Sequence, residues 1–384
     1  MTGGRTEVVV VGGGVMGSSI AYHLARRGVA VTLLERGDIP CAASAASAGG
    51  VRQQGRDLRE MPLAVASIAR WEHLEDELEA DLHYRREGHL TVTEDADSID
   101  ELEPWMAAQQ ALGLQIRLVE GDDLRELIPG VAPQVVAGTY SPSDGHANPI
   151  LTTKAFAAAA AQHGADVRPH TAVTAIEHDG GKVSGVRTEA GSIACDLVVL
   201  AAGAWSMELA RPLGIELPAI PRAPQMIATT PMPALLHQVV GARGRMLSLK
   251  QVPSGNYVIG GGWPGTVLME HGIAVPWYRS VLGSLVDSSA IFPELRRARI
   301  ERVWVGVEAQ TLDEVPILGA LPGIDNLVLA AGFSGHGFAL SPIIGQVMSE
   351  LIVDGTPSVE ISQLGFSRFE GVELPQEWRE LRAG

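Results

Sequence analysis

The sequence is poor in cysteine and in charged residues. Of its 384 residues only two, Cys41 and Cys195, are cysteines. They are too few for a disulfide scaffold and have no metal-binding spacing. Charged residues make up 19% of the chain and leave a net charge of −16, so neither a nucleic acid nor an anionic membrane is the expected partner. No basic-then-apolar leader precedes the first strand-like run, and we expect a cytoplasmic protein.

A continuous apolar run that could span a membrane is also missing. The best candidate, Asn326 to Ser349, contains no Asp, Glu, Lys or Arg. However, several glycines and Pro342 interrupt it, and His336 lies in its middle. We therefore predict a strand, a glycine turn and a buried helix, and no membrane span.

The first 35 residues carry the most specific pattern. Four valines lead into a GxGxxG turn (Gly12, Gly14, Gly17), an amphipathic helix, a second apolar strand and then Glu35. Glycines at these places permit a tight turn, the approach of a pyrophosphate and close helix–strand packing. A carboxylate in the place of Glu35 can bind the adenosine ribose. The order of elements predicts a bound adenine dinucleotide, without separating FAD from NAD.

The nucleotide-binding part of the chain is predicted to be discontinuous. Residues from about 218 to 307 read mostly as strands, and the pattern then returns to strand, glycine turn and helix. We predict an α/β fold in which a doubly wound, Rossmann-like domain is formed by 1–80, 145–215 and 310–365. A β-rich substrate domain, itself discontinuous, takes 81–144 and 216–309. A cofactor site closed by the far end of the chain suits a long, buried cofactor such as FAD.

Five motifs carry a resemblance to a known family. They are GGGVMGSSIAYHLARRG with Glu35-Arg36, SAASAGGVR at 44–52, DGHANP at 144–149, DLVVLAAGAWS at 196–206, and the pair RVWVGVEAQTLDEVPILG and AAGFSGHGFALSPIIG within 302–345. Through them nearly the whole chain resembles the FAD-dependent amine and amino-acid oxidoreductases of the D-amino-acid oxidase family. Sarcosine oxidase β subunits, glycine oxidases and proline-dehydrogenase-type flavoproteins are the most similar members. The resemblance implies an FAD domain beside a mixed-sheet substrate domain.

The resemblance also implies the chemistry. A hydride leaves the carbon next to an amine nitrogen for flavin N5, and the imine hydrolyses to an amine and a carbonyl compound. The implied substrate is a small secondary amine or amino acid of glycine, sarcosine, N-carboxymethyl or N-alkyl type, with O2 or another electron acceptor. The alternative is a flavin-carrying subunit of a heteromeric proline, sarcosine or opine dehydrogenase, inactive alone and recognisable by an exposed apolar patch.

The family motifs assign a set of residues to FAD. The turn at 332–338 is expected to present backbone N–H groups to the flavin, where negative charge develops on reduction. The predicted FAD-binding residues are Gly12, Gly14, Val15, Met16, Gly17, Glu35, Arg36, Ser44, Ser47, Gly49, Val173, Ala202, Gly203, Gly306, Gly332, Ser334, Gly335, His336, Gly337 and Phe338.

Two residues are predicted to act on the reactants. Arg52 stands where sarcosine-oxidase-type members carry an arginine for the substrate carboxylate, and a guanidinium grips two oxygens at once. The alternative is a solvated loop arginine. His336 is predicted to donate a hydrogen bond beside the flavin; the alternative is a structural histidine that fills the turn.

Two departures from the family pattern affect these roles. Gly306 replaces the cysteine of the covalently linked members, so FAD is expected to be non-covalent. Glu308 replaces an arginine that many members use for the substrate carboxylate, so this recognition is left to Arg52 or rebuilt. Glu308 either faces a cationic or hydroxylated part of a larger substrate or pairs with a nearby arginine such as Arg302.

The residues of the β-rich insert complete the candidate site. The lysine that sarcosine-type oxidases place over N5 corresponds to Ile259 or Gly260, and Lys250 on the neighbouring strand is the candidate substitute. Tyr257 is the remaining catalytic candidate. An apolar pocket beside the flavin, for a substrate with an apolar tail, is expected from Met226, Met246, Tyr257, Trp263 and Trp304; the alternative is that they are ordinary core residues.

Overall fold

The four valines form the centre of an eight-stranded sheet in the computed structural model, which describes residues 5–378. Val8 and Val10 face one core, and Val9 and Val11 face another. Both faces of the strand are therefore covered, which explains an uninterrupted apolar run. The strands of this sheet are Arg5–Val11, Val31–Leu34, Asp166–Arg168, Val173–Asp179, Lys182–Thr188, Gly191–Leu200, Ile317–Ala320 and Leu327–Ala331.

The central strands of this sheet run parallel. Arg5–Val11 lies between Gly191–Leu200 and Val31–Leu34, and Leu327–Ala331 extends the sheet beyond Gly191–Leu200. The first and last parts of the chain therefore share one sheet, as the discontinuous prediction requires. Helices cover one face and a β-hairpin turning at Gly180 and Gly181 covers the other.

Four helices pack on the helical face of this sheet. They are Val15–Arg26, Met61–Trp71, Pro149–Gln162 and Gly337–Asp354. Asn148, followed by Pro149, caps the third helix, because its side chain accepts hydrogen bonds from the N–H groups of Ile150 (3.0 Å) and Leu151 (3.1 Å). Within the described residues, no helix is both long and apolar enough to cross a membrane.

A second eight-stranded sheet contains strands from both predicted parts of the substrate domain. Its strands, in spatial order, are Ile300–Val305, Gln225–Thr229, Tyr257–Gly260, Ser248–Gln251, Val239–Ala242, His89–Thr93, Ala137–Ser141 and Arg117–Glu120. Side chains alternate between its two faces, so Leu90 and Val92 enter a core whereas His89 and Thr91 line a cavity. The division of the chain into two domains and the boundaries between them stay a prediction.

Short elements complete the described chain. The remaining strands are Gly50–Val51, Gly145–His146, Ala219–Arg222, Thr266–Leu268, Ile273–Val275 and Glu308–Thr311. The remaining α-helices of more than four residues are Ala42–Ala46, Ile99–Gln110, Gly121–Leu127, Ser206–Ala210 and Tyr278–Ile291.

Two helices were not predicted from the sequence. The segment 41–51 contains a short helix at Ala42–Ala46, consistent with the high helix propensity of alanine. The region 218–307 is mostly strands, as predicted, but it also contains the helix Tyr278–Ile291. That helix buries Ser280, Ser284 and Ser288 while it exposes apolar side chains, so its polarity pattern runs opposite to that of an ordinary surface helix.

The close contact between the first helix and the last long helix gives a stability prediction. A Cβ on Gly345 would overlap the Ser19 side chain and lie 2.7 Å from the Ser19 carbonyl oxygen. We expect Gly345→Ala to lower the free energy of unfolding by about 2 kcal/mol or more, because two packed backbones must separate. Chemical denaturation at saturating flavin measures this. Gly50→Ala is the control, since a Cβ there meets nothing within 4 Å; equal losses in both variants would contradict the argument.

Candidate active site

The turn after the first strand accepts only glycine at its key positions. Gly12 has a φ of +108°, and a Cβ there would lie 2.5 Å from the carbonyl oxygen of Ala201. A Cβ on Gly17 would overlap the carbonyl oxygen of Gly12. Gly17 therefore lets the helix pack against the turn, and it lies behind the cavity wall that Gly12 and Gly14 form.

This wall belongs to a cavity of about 900 Å³ between the two large sheets. Val11, Leu34 and Ala331, at the carboxyl ends of the parallel strands, contribute to one side. His89 and Thr91 contribute from the inner face of the second sheet. Ligands of open α/β sheets bind at the carboxyl ends of the strands, and the volume lies toward the upper end of the roughly 300–1,000 Å³ typical of ligand pockets.

The Glu35 carboxylate is fixed at this wall. It is buried, and it accepts hydrogen bonds from the N–H groups of Gly13 (2.7 Å) and Gly37 (2.8 Å) and from the Cys41 thiol (3.1 Å). Burial, reinforced by the charge of Glu35, raises the pKa of Cys41 to about 12, so this thiol stays protonated and donates. The carboxylate is thus held in place beside the predicted ribose position.

The same part of the cavity contains a stacked pair of side chains. The Arg36 guanidinium lies 3.6 Å from the centroid of a Trp205 ring, and both residues line the cavity with Val173, Ala202 and Gly203. A cation over an indole face is a favourable contact. Arg36 was predicted here, whereas the sequence analysis did not assign Trp205 to the site.

The segment 42–51 closes over the N-terminus of the first helix. Ser44 Oγ accepts a hydrogen bond from the Val15 N–H (2.9 Å), and Ser47 Oγ accepts one from the Gly49 N–H (3.0 Å). A Cβ on Gly306 would overlap the Ala46 side chain. A cysteine at 306 would therefore need this segment to move away, which supports a flavin held without a thioether bond.

The turn before the last long helix meets the first helix. Ser334 and Gly335 both have positive φ, +49° and +83°, which gives the sharp return. A Cβ on Gly337 would lie 2.9 Å from the Met16 side chain. Of the predicted cofactor residues, all but Gly17 line the cavity.

Asp144, from the DGHANP motif, anchors the segment that carries the predicted substrate arginine. It is fully buried, and its Oδ1 accepts hydrogen bonds from the backbone N–H (3.0 Å) and the side-chain amide (2.9 Å) of Gln53. The Gln54 amide in turn donates to the His89 carbonyl oxygen (2.6 Å). Both contacts join the 52–56 segment to the second sheet.

Two arginines of this segment line the cavity. Arg52 Nη1 donates to the Gln54 carbonyl oxygen (2.9 Å), and Arg56 uses Nε (3.2 Å) and Nη2 (3.0 Å) on the Arg52 carbonyl oxygen. Arg56 Nη1 is buried and has no hydrogen-bond partner among the described residues. Burial and the charge of Arg52 lower the pKa of Arg56 to about 10, so it stays charged at neutral pH. A solvated loop position for Arg52 does not agree with this geometry.

His336 lies between this cluster and the turn. Its Nδ1 is 3.5 Å from Oε2 of Glu60, a fully buried carboxylate. Burial and the charge of Arg56 lower the pKa of His336 to about 4, although Glu60 opposes the shift. The ring is therefore neutral at neutral pH, and it lines the cavity.

Glu308 lines the cavity without an ion-pair partner. No cationic group among residues 5–378 lies within 4 Å of its carboxylate. The alternative pairing with Arg302 is not formed, since that guanidinium lies 5.4 Å from the centroid of a Trp304 ring. Burial raises the pKa of Glu308 to about 7, while the Gly335 N–H and the charge of Arg222 pull it down.

The structure does not bring every candidate to the cavity wall. Tyr257 is buried in the core of the second sheet, away from the wall, so its position gives a catalytic role no support. Lys250 is buried behind Gly49, where its Nζ lies 3.3 Å from the position a Cβ would take. Burial lowers the pKa of Lys250 to about 7.

The predicted apolar pocket is also not formed as expected. Of its five residues only Met226 lines the cavity. Met246 is 49% exposed, and the indole N–H groups of Trp263 and Trp304 donate to Asp287 (2.8 Å) and the Ala46 carbonyl oxygen (3.0 Å). These residues are structural. The structure therefore gives no support to a substrate with an apolar tail.

Residues missed by the sequence analysis complete the wall and its support. Arg56 had a usable signal, a second arginine four positions after Arg52 in one segment. Glu60 and His89 had none, because only the packing of distant segments places them here.

Comparisons with known proteins identify the family of this chain. The glycine cradle, the fixed Glu35 and the long cavity fit an adenine dinucleotide with a second reactive half. A family model described as DAO, FAD dependent oxidoreductase, matches residues 7–351. The chain belongs to this family. DAO-family members and the structural neighbours are FAD-binding flavoproteins, so the predicted fold, cofactor and oxidoreductase class are confirmed.

Three proteins illustrate the variety of enzymes to which this DAO-family chain is similar. Glycine oxidase of Pseudomonas putida is 30% identical over 92% of this chain and 96% of its own length. The 4-methylaminobutanoate oxidase (formaldehyde-forming) of Paenarthrobacter nicotinovorans is 29% identical over 96% of this chain. The crystal structure of L-proline dehydrogenase from P. horikoshii superposes with a TM-score of 0.91 and 28% identity, covering 97% of this chain and 100% of that one. The chain spans about half the length, 46%, of 4-methylaminobutanoate oxidase.

Gly306 generates a prediction about flavin attachment. We expect the purified protein to release intact FAD into the supernatant on acid precipitation, because Gly306 supplies no thiol and Cys41 is engaged with Glu35. Absorbance and chromatography of the two fractions measure this. Yellow colour that stays with the pellet after washing in denaturant would contradict non-covalent binding.

Proposed function

We propose that this chain oxidises the C–N bond of a small secondary amine or amino acid, using FAD as the hydride acceptor. Bound FAD supplies the two-electron acceptor at N5. The imine product hydrolyses to an amine and a carbonyl compound. The observation that carries the proposal is the opposite charge of two parts of one cavity wall: two arginines, Arg52 and Arg56, and the unpaired carboxylate of Glu308.

The arginines suit the carboxylate of an amino acid. Arg56 Nη1 is a buried donor without an acceptor, and an unmade hydrogen bond of a buried charged group is costly. A substrate carboxylate satisfies it. The nearby charges of Glu60 and Asp144 raise the pKa of Arg56 and so help to keep it protonated. Asp144 also holds the 52–56 segment in place through Gln53, before any substrate binds.

The protein's other tasks are to hold the reacting carbon near the cofactor and to exclude water. The turn at 332–338 supplies backbone N–H groups at the start of a helix of 18 residues, where negative charge is stabilised. The names of the relatives support the substrate class, since glycine, proline and 4-methylaminobutanoate all combine an amine with a carboxylate.

Anaerobic bleaching of the flavin tests this proposal. We expect one compound from a panel of glycine, sarcosine, N-carboxymethyl amino acids, 4-methylaminobutanoate, proline and D-amino acids to bleach the visible absorbance. Air is then admitted; fast recolouring indicates an oxidase and slow recolouring a dehydrogenase. A flavoprotein that none of these amines bleaches would contradict the proposal.

A second candidate is a flavin-carrying subunit that needs a partner chain. One observation favours it: Tyr278, Leu282 and Val286 lie one turn apart on the helix Tyr278–Ile291 and are 66%, 58% and 64% exposed. An apolar stripe of this kind is typical of an interface. Bleaching by substrate of the isolated, monomeric chain would argue against this candidate.

Variants of the two arginines test the carboxylate site. We expect Arg52→Ala and Arg56→Ala each to raise KM for the bleaching amino acid about a hundredfold, because a charge-assisted hydrogen bond is worth roughly 1.5–3 kcal/mol. Steady-state kinetics with the acceptor found above measure this. Arg302→Ala is the control, since that exposed arginine is outside the cavity wall. Unchanged KM in both cavity variants would remove the arginines from substrate binding.

A further inference from the structure

Glu308 begins a short strand on the cavity wall. The strand Glu308–Thr311 pairs with Ala219–Arg222, in a register that places Arg222 opposite Glu308. On its other side lies the turn at Gly335, where an added Cβ would be 3.7 Å from Oε1 of the carboxylate. The carboxylate therefore has a backbone N–H beside it and the cavity in front of it.

The Glu308 carboxylate has no cation paired with it among the described residues. Acidic side chains in protein interiors are normally paired with a cation. Among the described residues Arg222 acts on Glu308 only from beyond ion-pair distance, and its own side chain is exposed. A cation that enters the cavity would complete the pair, so the geometry points to a protonated ligand group.

The other titratable groups near this part of the wall leave few proton acceptors. His336 on the adjoining turn and His89 on the second sheet are weak bases, since burial lowers the pKa of His336 to about 4 and that of His89 well below its usual value. Arg52 and Arg56 are cations. Lys250, behind Gly49, is a rival, because its pKa is also lowered to about 7. Glu208 and Glu314 also line the cavity, and Glu60 lies beside His336.

The proposed reaction needs a proton acceptor. An alkyl amine has a pKa of about 10 and enters at neutral pH as an ammonium ion. The nitrogen lone pair of an ammonium ion is used in an N–H bond and cannot form the C=N bond of the product. One proton must therefore leave nitrogen before the adjacent C–H bond can break.

We propose that Glu308 accepts this proton, so that the chain takes its substrate as the ammonium form. The N–H bond breaks, its electron pair stays on nitrogen, and the proton joins a Glu308 oxygen. The nitrogen lone pair can then form C=N as the C–H bond breaks, and bound FAD would take up the hydride. This inference rests on the proposed function and assigns Glu308 a catalytic role within it.

The pH dependence of anaerobic bleaching tests the assignment. With the bleaching amine from the panel, the rate of the wild-type holoenzyme should rise with pH through about 7, as Glu308 ionises. In Glu308→Gln the rise should move to the pKa of the free amine, roughly three units higher, with a loss of about a hundredfold or more at pH 7.5. Glu301→Gln, an exposed carboxylate on a neighbouring strand, should follow the wild type.

Thermal unfolding of the holoprotein gives a second readout that does not depend on turnover. The folded-state pKa of Glu308 is raised, so its contribution to stability is complete below the ordinary pKa of 4.5 and is lost as the pH rises through about 7. Glutamine does not ionise, so the variant does not lose this stability. The difference in Tm between Glu308→Gln and the wild type should therefore change in favour of the variant between pH 5 and about pH 8.

The outcomes separate the inference from the function on which it rests. A wild type that bleaches while Glu308→Gln keeps its pH profile overturns the role of Glu308 alone. A profile that moves in Lys250→Met and not in Glu308→Gln assigns the proton to the lysine instead. A wild type that no amine bleaches overturns the proposed function and the inference together.

Discussion

The packing of the first helix against the last long helix is the constraint on which the rest of the structure depends. Gly345 lets the two backbones approach, and Ser19 Oγ donates a hydrogen bond across the contact to the Ser341 carbonyl oxygen (2.7 Å). This contact fixes the direction of the chain that precedes the last helix, so the turn containing Gly337 arrives beside Met16. The two ends of the described chain thus form one wall. Without this helix contact, the glycine turn and the charged part of the cavity would not be held at a fixed distance and orientation.

The charged groups of the cavity act on one another's pKa values. The charge of Arg52 lowers the pKa of Arg56, while Asp144 and Glu60 act to raise the pKa of both arginines. Enclosure between two sheets lowers the effective dielectric constant and strengthens all of these interactions. Among the described residues, Glu308 has no cation within ion-pair distance, and only the more distant charge of Arg222 acts on it. The site therefore combines a cluster of two arginines and two buried acids with one acid that lacks a nearby cation. In the proposed function, this arrangement orients an amino acid by its two ends.

Local rules predicted the nucleotide half of the site, and long-range packing decided the rest. The glycines of the first turn and the Asn148 cap were readable because sterics and backbone hydrogen bonding act within a few residues. The helix Tyr278–Ile291 was not, because it buries serines against the second sheet and inverts the usual pattern. Tyr257 was placed in the site by strand position alone, but side chains alternate between the faces of a strand, and its side chain enters the core face. Glu60 meets His336 only because segments far apart in sequence converge.

The order of strands in the first sheet also bears on when the protein can acquire its cofactor. Arg5–Val11 is synthesised long before one of its neighbours, Gly191–Leu200, which lies nearly two hundred residues later, and the turn and helix at 332–354 come later still. Pairings of such high sequence separation form slowly. One edge of the valine-rich strand therefore stays unpaired until Gly191–Leu200 has been made, and flavin capture is a late stage of assembly rather than its nucleus.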